Sequence, residues 1–296
     1  MSSAYFKTLN LPSALLDALH LLGYHTMTEV QAQALPLVLS GRDVLVRAKT
    51  GSGKTAAFGL GLLKAINPRF YGVQGLVLCP TRELAEQVGQ EIRRLASRMA
   101  NIKVVMLCGG KPFGPQRDSL EHGAHIVVGT PGRVQDHLQK KTLVLDGLSM
   151  LVLDEADRML DMGFAQSMRD IIAKTPNQRQ TLLFSATYPE DIQAISSGVQ
   201  RNPATVTVDD IAHTDAVIDQ LFFEVEKHER KTTLLALFEH YQPGNAVVFC
   251  NTKKQCSEVA DFLNEHDIEA RALHGDLDQR ERDQVLLQFA NNSCPV

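Results

Sequence analysis

VLVRAKTGSGKTAAFGLGLL, residues 44–63, decides the fold. A short apolar run, VLV, ends in AKTGSGKT (48–55), and a helix-forming stretch follows. The pattern is that of a phosphate-binding loop, G-x-x-x-x-G-K-[ST], with Ala48 in place of the first glycine. The physics survives that change. Gly51 and Gly53 let the backbone bend so that its N–H groups point at a phosphate. The helix that follows adds the positive end of its dipole. Lys54 can reach the outer phosphates, and Thr55 can hold Mg²⁺. A glycine-rich turn alone would carry little. The strand-loop-helix context makes Ala48, Lys49, Thr50, Gly51, Ser52, Gly53, Lys54 and Thr55 a candidate nucleotide site.

Working outward, short apolar runs alternate with longer helical patterns. Strands are expected at Asp43–Arg47, Gly75–Cys79, Lys103–Leu107, His125–Val128, Met150–Leu153 and Gln180–Phe184. Helix patterns such as Glu83–Ala96 and Pro189–Val199 lie between them. This alternation predicts an α/β fold, a doubly wound parallel sheet with helices on both faces. Two helical stretches, Ser13–Leu22 and Thr28–Leu39, come first, with Thr28 as a cap.

The stretch SMLVLDEADRML (149–160) puts three carboxylates directly after a strand. In a doubly wound sheet, ligands sit off the carboxyl ends of the strands. Asp154 is therefore expected near the phosphates, binding Mg²⁺ directly or through water, and Glu155 is expected to orient and deprotonate a water. Asp157 lies too far along to share that work and is expected to hold a neighbouring loop. Carboxylates also favour a helix's first turn on their own account; the upstream AKTGSGKT is what gives these a site to serve.

Bulk composition limits the alternatives. The 296 residues are 44% apolar and 22% charged, ordinary for a globular protein with room for two cores. No run approaches the roughly 18 apolar residues of a membrane helix. The N-terminal MSSAYFKTLN has no basic-then-apolar signal pattern. The five cysteines form no CxxC pair, which reads as reduced thiols in a cytoplasmic protein. Cys79 and Cys250, in apolar runs, read as small buried hydrophobes. Residues 1–217 are net +2 and residues 218–296 net −6, which argues against a broad basic face in the second part.

Around 206–218 the periodicity fades, and 207–217 reads as a linker. The pattern then restarts. Strands are expected near Gln220–Val225, Ala246–Cys250 and Glu269–Leu273, with helices Arg230–Tyr241, Lys253–Glu265 and Gln279–Ala290. The expected organisation is N-terminal helices at 1–40, a first domain at 41–206 and a partial second domain at 218–296.

Taken together, these motifs resemble the DEAD-box ATP-dependent RNA helicases, with Asp154-Glu155-Ala156-Asp157 as the name-giving element. The resemblance runs along nearly the whole chain in family order. It implies two RecA-like domains, the second partial here, with ATP or ADP and Mg²⁺ as ligands. It implies that Tyr24 stacks on adenine and Gln31 bonds its edge, with Thr28 beside them and Phe6 as the upstream aromatic. An amide offers the donor and acceptor that an adenine edge needs.

The same resemblance implies that three loops line an RNA groove. They are Pro80-Thr81-Arg82-Glu83-Leu84-Ala85, Cys108-Gly109-Gly110 and Thr130-Pro131-Gly132-Arg133. Glycine N–H groups, Thr hydroxyls, Arg side chains and helix N-termini suit phosphate oxygens and read no base. Ser185-Ala186-Thr187 resembles the segment that ties nucleotide state to RNA, through bonds to Asp157. Asn251, Thr252, Gln279 and Arg282 resemble the second domain's RNA contacts.

Within the family, 108–126, 154–164 and 247–256 look like a bacterial member, which implies a role in assembling the large ribosomal subunit on ribosomal RNA. No Arg-rich HRxGRxxR-like stretch occurs in the 296 residues. The chain is accordingly expected to be a fragment that binds nucleotide, hydrolyses it poorly and does not unwind. For the intact protein the expected activity is ATP-driven melting of short RNA duplexes by a monomer. Two rivals remain: an ATP-gated RNA clamp without strand separation, and a phosphoryl-transferring kinase.

Overall fold

The computed structural model describes residues 4–187, 190–208 and 218–296. The chain divides into two compact units, Met1–Ala212 and His213–Val296. The boundary falls in the segment read as a linker, of which 209–217 lie outside the described residues.

The first unit opens with a 3-10 turn, Phe6–Thr8, then α1 (Ser13–Leu21) and α2 (Glu29–Leu39). Thr28 caps α2 in a reciprocal box: its hydroxyl accepts from the Gln31 N–H, and the Gln31 side chain accepts from the Thr28 N–H. Then follow β1 (Val44–Arg47), α3 (Lys54–Ala65), β2 (Gly75–Leu78), α4 (Arg82–Leu95), β3 (Val104–Leu107), α5 (Phe113–Glu121) and β4 (Ile126–Gly129). The unit continues with α6 (Pro131–Gln139), β5 (Met150–Leu153), α7 (Ala156–Asp161), α8 (Ala165–Ile172), β6 (Gln180–Ser185), α9 (Glu190–Val199) and β7 (Ala204–Thr207).

All seven strands are parallel, in the order β3-β4-β2-β5-β6-β1-β7. The expected strands are present with ends within a residue. β7 was not expected; it pairs with β1 at the sheet edge, and only Val206 of its four residues is buried.

Side chains alternate across the sheet, as strand geometry requires. Val44, Val46, Val77, Val128, Val152, Leu182 and Phe184 share one apolar cluster with α1 to α4. Leu45, Leu76, Leu78, Val127, Leu151, Leu153 and Leu183 share the other, with Val134, Met159, Met168, Ile171 and Ile192 from α6 to α9. Covering both faces lets the strands read as continuous apolar runs. Phe58 of α3 meets Phe184 edge-on, with centroids 5.2 Å apart. At the open edge, Arg93 Nη2 donates to the Val104 carbonyl at 2.8 Å.

The second unit holds a short turn and α10 (Arg230–Tyr241), α11 (Lys253–Asn264) and α12 (Gln279–Ala290), close to expectation. The strands expected near 220–225, 246–250 and 269–273 are not formed: these segments run without a strand ladder. Only isolated backbone bonds join two of them to the last residues, Ala246 N–H to the Pro295 carbonyl and Arg271 N–H to the Val296 carbonyl. A ladder needs a run of such pairs. Phe222 and Phe249 are accordingly 90% and 93% exposed. Cys79 is fully buried as read, but Cys250 is only half-buried, because its segment is not covered.

Candidate nucleotide and RNA site

The phosphate loop leaves β1 and enters α3. Its first peptide is tied to β6, Ala48 N–H to the Ser185 carbonyl at 3.0 Å. Gly51 and Gly53 have φ of 84° and 89°. The backbone angle at Gly53 favours glycine, and a Cβ there would sit 2.5 Å from Gln31 Nε2, so the Gln31 side chain would have to move aside. Lys54 is 6% exposed, and its Nζ donates to the Ala48 carbonyl at 3.2 Å, curling across its own loop. Helix α2 braces the loop from below. Thr28 Oγ1 donates to the Ser52 carbonyl at 2.8 Å, and Gln31 Nε2 donates to the Gly53 carbonyl at 3.0 Å.

The acids arrive on β5. Asp154 and Glu155 are 2% and 4% exposed. Asp154 N–H continues the ladder to the Leu78 carbonyl, and its Oδ1 accepts from the Glu155 N–H at 3.0 Å. Burial pushes the Asp154 carboxyl up to about 6, partly countered by the nearby Lys54 charge and reinforced by Glu155. Glu155 occupies the N-cap position of α7 in a left-handed conformation, φ 50° and ψ 52°, without a side-chain cap bond, at a cost of about 1 kcal/mol or more. Glu155 Oε1 accepts from Thr50 Oγ1 at 2.8 Å, and Oε2 accepts from Arg158 Nη1 at 3.0 Å. Phosphate loop and acid strand therefore meet directly.

Asp157 holds the end of β6. Its Oδ2 accepts from both the Thr187 N–H and the Thr187 hydroxyl, each at 2.8 Å. Ser185 Oγ donates to the Thr187 carbonyl at 2.7 Å. Burial works to raise the Asp157 carboxyl, but the bonds from Thr187 and from the Arg158 N–H hold it below the usual carboxylate range. The bond to Asp157 expected from sequence is present.

The three remaining loops stand at the carboxyl ends of β2, β3 and β4 in the same sheet. Thr81 caps α4, its hydroxyl accepting from the Leu84 N–H at 3.2 Å. The Arg82 guanidinium lies over the glycine pair, close enough that a Cβ on Gly110 would meet its Nη1 at 2.0 Å. Arg133 Nη1 donates to the Lys111 carbonyl at 2.9 Å, linking the loops after β3 and β4. Thr130 is 8% exposed and makes no side-chain cap. In the second unit, Thr252 caps α11 by accepting from the Gln255 N–H, Asn251 is exposed beside it, and Gln279 and Arg282 lie in the first turn of α12.

The residues read as the adenine site are placed as follows. Phe6 is 3% exposed and belongs to the core cluster of α1 to α4. Tyr24 packs against that cluster, and its hydroxyl donates to Glu91 Oε1 of α4 at 2.8 Å. Both amide ends of Gln31 are engaged, Oε1 by the Thr28 N–H and Nε2 by Gly53. In this structure Gln31 braces the phosphate loop.

The DEAD/DEAH box helicase family model matches residues 28–195, more than half the chain, and the helicase conserved C-terminal domain model matches 229–296. The chain belongs to the DEAD/DEAH box helicase family. The ATP-dependent RNA helicase DbpA of Escherichia coli (strain K12) is 58% identical over 294 residues, 98% of this chain and 64% of that protein. The DEAD-box ATP-dependent RNA helicase CshA of Bacillus subtilis (strain 168) is 39% identical over 98% of this chain and 59% of its own length. The chain thus spans about three-fifths of these curated relatives. A DEAD box protein from the hyperthermophile Methanococcus jannaschii aligns with a TM-score of 0.67 at 35% identity, over 98% of this chain and 78% of that one. Saccharomyces cerevisiae Dbp5 in a variant form bound to RNA and ADP BeF3 aligns with a TM-score of 0.86 at 28% identity, over 99% and 75%. These likenesses make the fold that of the DEAD-box helicases, with its tandem RecA-like domains.

Several DEAD-box site contacts had no local signal in the sequence. Thr50 and Glu155 are 105 residues apart, and Arg158 reads in sequence as an ordinary helix residue. Beside the loop after β3, Phe113 stacks on the buried His137, centroids 4.0 Å apart and 12° from parallel, with Lys140 Nζ 4.1 Å from the ring centre. Only the i,i+3 spacing of His137, on α6, and Lys140, its C-cap, hints at a shared face.

The donors fit a nucleotide with Mg²⁺. A Thr hydroxyl and a carboxylate are hard oxygen ligands, and a magnesium site of this class takes one or two carboxylates plus substrate phosphates. Among the described residues no cluster of three or more His, Cys, Asp or Glu could hold a metal by itself. No described helix is long and apolar enough to cross a membrane.

Proposed function

We propose that this chain is the core of an ATP-dependent RNA helicase that melts short RNA duplexes, with ribosomal RNA of the large subunit as its target. One observation carries the reading: the phosphate-loop Thr50 and the acid Glu155 are joined across 2.8 Å, bringing a phosphate cradle and a candidate proton acceptor together. A fixed binding module would need the cradle alone. The Escherichia coli relative DbpA is an ATP-dependent RNA helicase, which supports the same class.

In this reading, residues 48–55 bind the nucleotide phosphates, and Thr55 and Asp154 would hold Mg²⁺, which would supply positive charge to the phosphates. Glu155 orients a water and takes its proton, a role worth about 10²–10⁴ in rate. Asp157, Ser185 and Thr187 pass the state of the site to the loops at 80–85, 108–110 and 130–133. Those loops, with Asn251, Thr252, Gln279 and Arg282, meet the RNA backbone without reading sequence.

The test is ATP turnover with and without single-stranded RNA, alongside displacement of a short labelled duplex by the full-length protein. RNA-stimulated turnover with ATP-dependent displacement is the expected result. Stimulated turnover without displacement would favour the ATP-gated clamp, and turnover indifferent to RNA would remove the RNA reading.

A further inference from the structure

Glu155 is held at both oxygens, and the two holders differ in kind. Thr50 belongs to the phosphate loop, so its bond to Oε1 exists only while that loop keeps this shape. Arg158 belongs to α7, the helix that Glu155 itself caps, so its bond to Oε2 travels with the acid. The pair spans i to i+3, the spacing that brings side chains one turn apart together. Its exposure is lopsided: the Glu155 side chain is 6% exposed, that of Arg158 65%. An ion pair with both ends in water contributes little. Here one end is a buried carboxylate, and the charge-assisted bond is the strong kind. A glutamate that must present an oxygen to a water has three side-chain torsions to hold. The left-handed backbone at Glu155 sets its direction of departure, and Arg158 restrains its far end.

We propose that Arg158 is a positioning residue for Glu155, fixing the carboxylate orientation in which it meets its water. This rests on the reading of Glu155 as proton acceptor, and the experiment separates the two. The full-length protein, E155Q, R158Q, R158K and the double variant E155Q/R158Q are compared by kcat and KM for ATP at saturating single-stranded RNA, and by affinity for fluorescent ADP. R158Q is expected to lower kcat about tenfold while KM and ADP affinity stay within twofold. R158K should recover most of the loss, and the double variant should match E155Q.

Wild-type kcat in R158Q, or a loss that adds in full to that of E155Q, overturns the proposal. Wild-type turnover in E155Q overturns the proton-acceptor reading itself, whatever R158Q does. A reading independent of turnover comes from urea unfolding of the same four-protein cycle. Non-zero coupling between positions 155 and 158 is expected, and strictly additive midpoints overturn the contact.

Discussion

The Thr50 hydroxyl donates to Glu155 Oε1 across 2.8 Å, closing a distance of 105 residues in sequence. The acceptor is 4% exposed, so removing the donor leaves a carboxylate oxygen facing its site without that bond. Thr50→Val keeps the shape and deletes the hydroxyl. It should destabilise the first unit by about 1–3 kcal/mol, read as a lower urea midpoint with unchanged slope.

Gly53 offers a test of the brace under the phosphate loop. Its φ of 89° strains any other residue, and Gln31 Nε2 lies 2.5 Å from where a Cβ would stand. Gly53→Ala should displace Gln31 and break its bond to the loop carbonyl. ADP affinity should fall by tenfold or more, equivalent to about 1.4 kcal/mol or more, measured by titration of fluorescent ADP. Gly198, which has open space around it, is the control: Gly198→Ala should leave affinity unchanged.

Thr187 makes two bonds to one carboxylate oxygen. Thr187→Val removes the hydroxyl bond and keeps the backbone one. Because the partner is charged, the loss should be about 1.5–3 kcal/mol locally. ADP affinity should hold, while the RNA stimulation of ATP turnover falls severalfold, read by comparing turnover with and without single-stranded RNA.

His137 predicts a pH dependence. Burial, then the charges of Arg133 and Lys140, push its imidazole down to about 4, whereas an unfolded chain titrates near 6.5. Between those values the unfolded state binds the extra proton, so the share of stability that His137 contributes rises with pH from about 4 to about 6.5 and is level above. The span corresponds to at most about 3 kcal/mol. The raised Asp154 carboxyl works in the opposite sense below about 6, so the His137 share is read by difference: in urea unfolding of the first unit at pH 4.5 and 7.5, His137→Gln should gain less stability with rising pH, or lose more, than the wild type.

Much of the first unit is legible from sequence because both faces of its sheet are covered. Runs such as Met150–Leu153 are apolar throughout and end abruptly at charged or glycine-rich loops. β7 escaped notice because Val206 is its only buried position, too little for a periodic signal. In the second unit the apolar runs are real, but a strand is defined by its neighbours, and Phe222 and Phe249 remain largely exposed. At the site, the order of motifs identified the phosphate loop, the acids and the Asp157–Thr187 link. It could not show that Tyr24 engages Glu91 or that Gln31 holds Gly53. Both are tertiary hydrogen bonds, and an aromatic or an amide on a helix has many possible partners.

The strand order has a consequence for how this molecule can vary. β1 carries the phosphate loop and β5 carries the acids, yet the two strands do not pair, because β6 lies between them. The pocket's width is therefore set by two interstrand spacings, roughly 10 Å in all, and no insertion in a surface loop can stretch it. β6 serves as a gauge block, and the residues at its end, Ser185 to Thr187, stand where any slip between the two halves would first be felt.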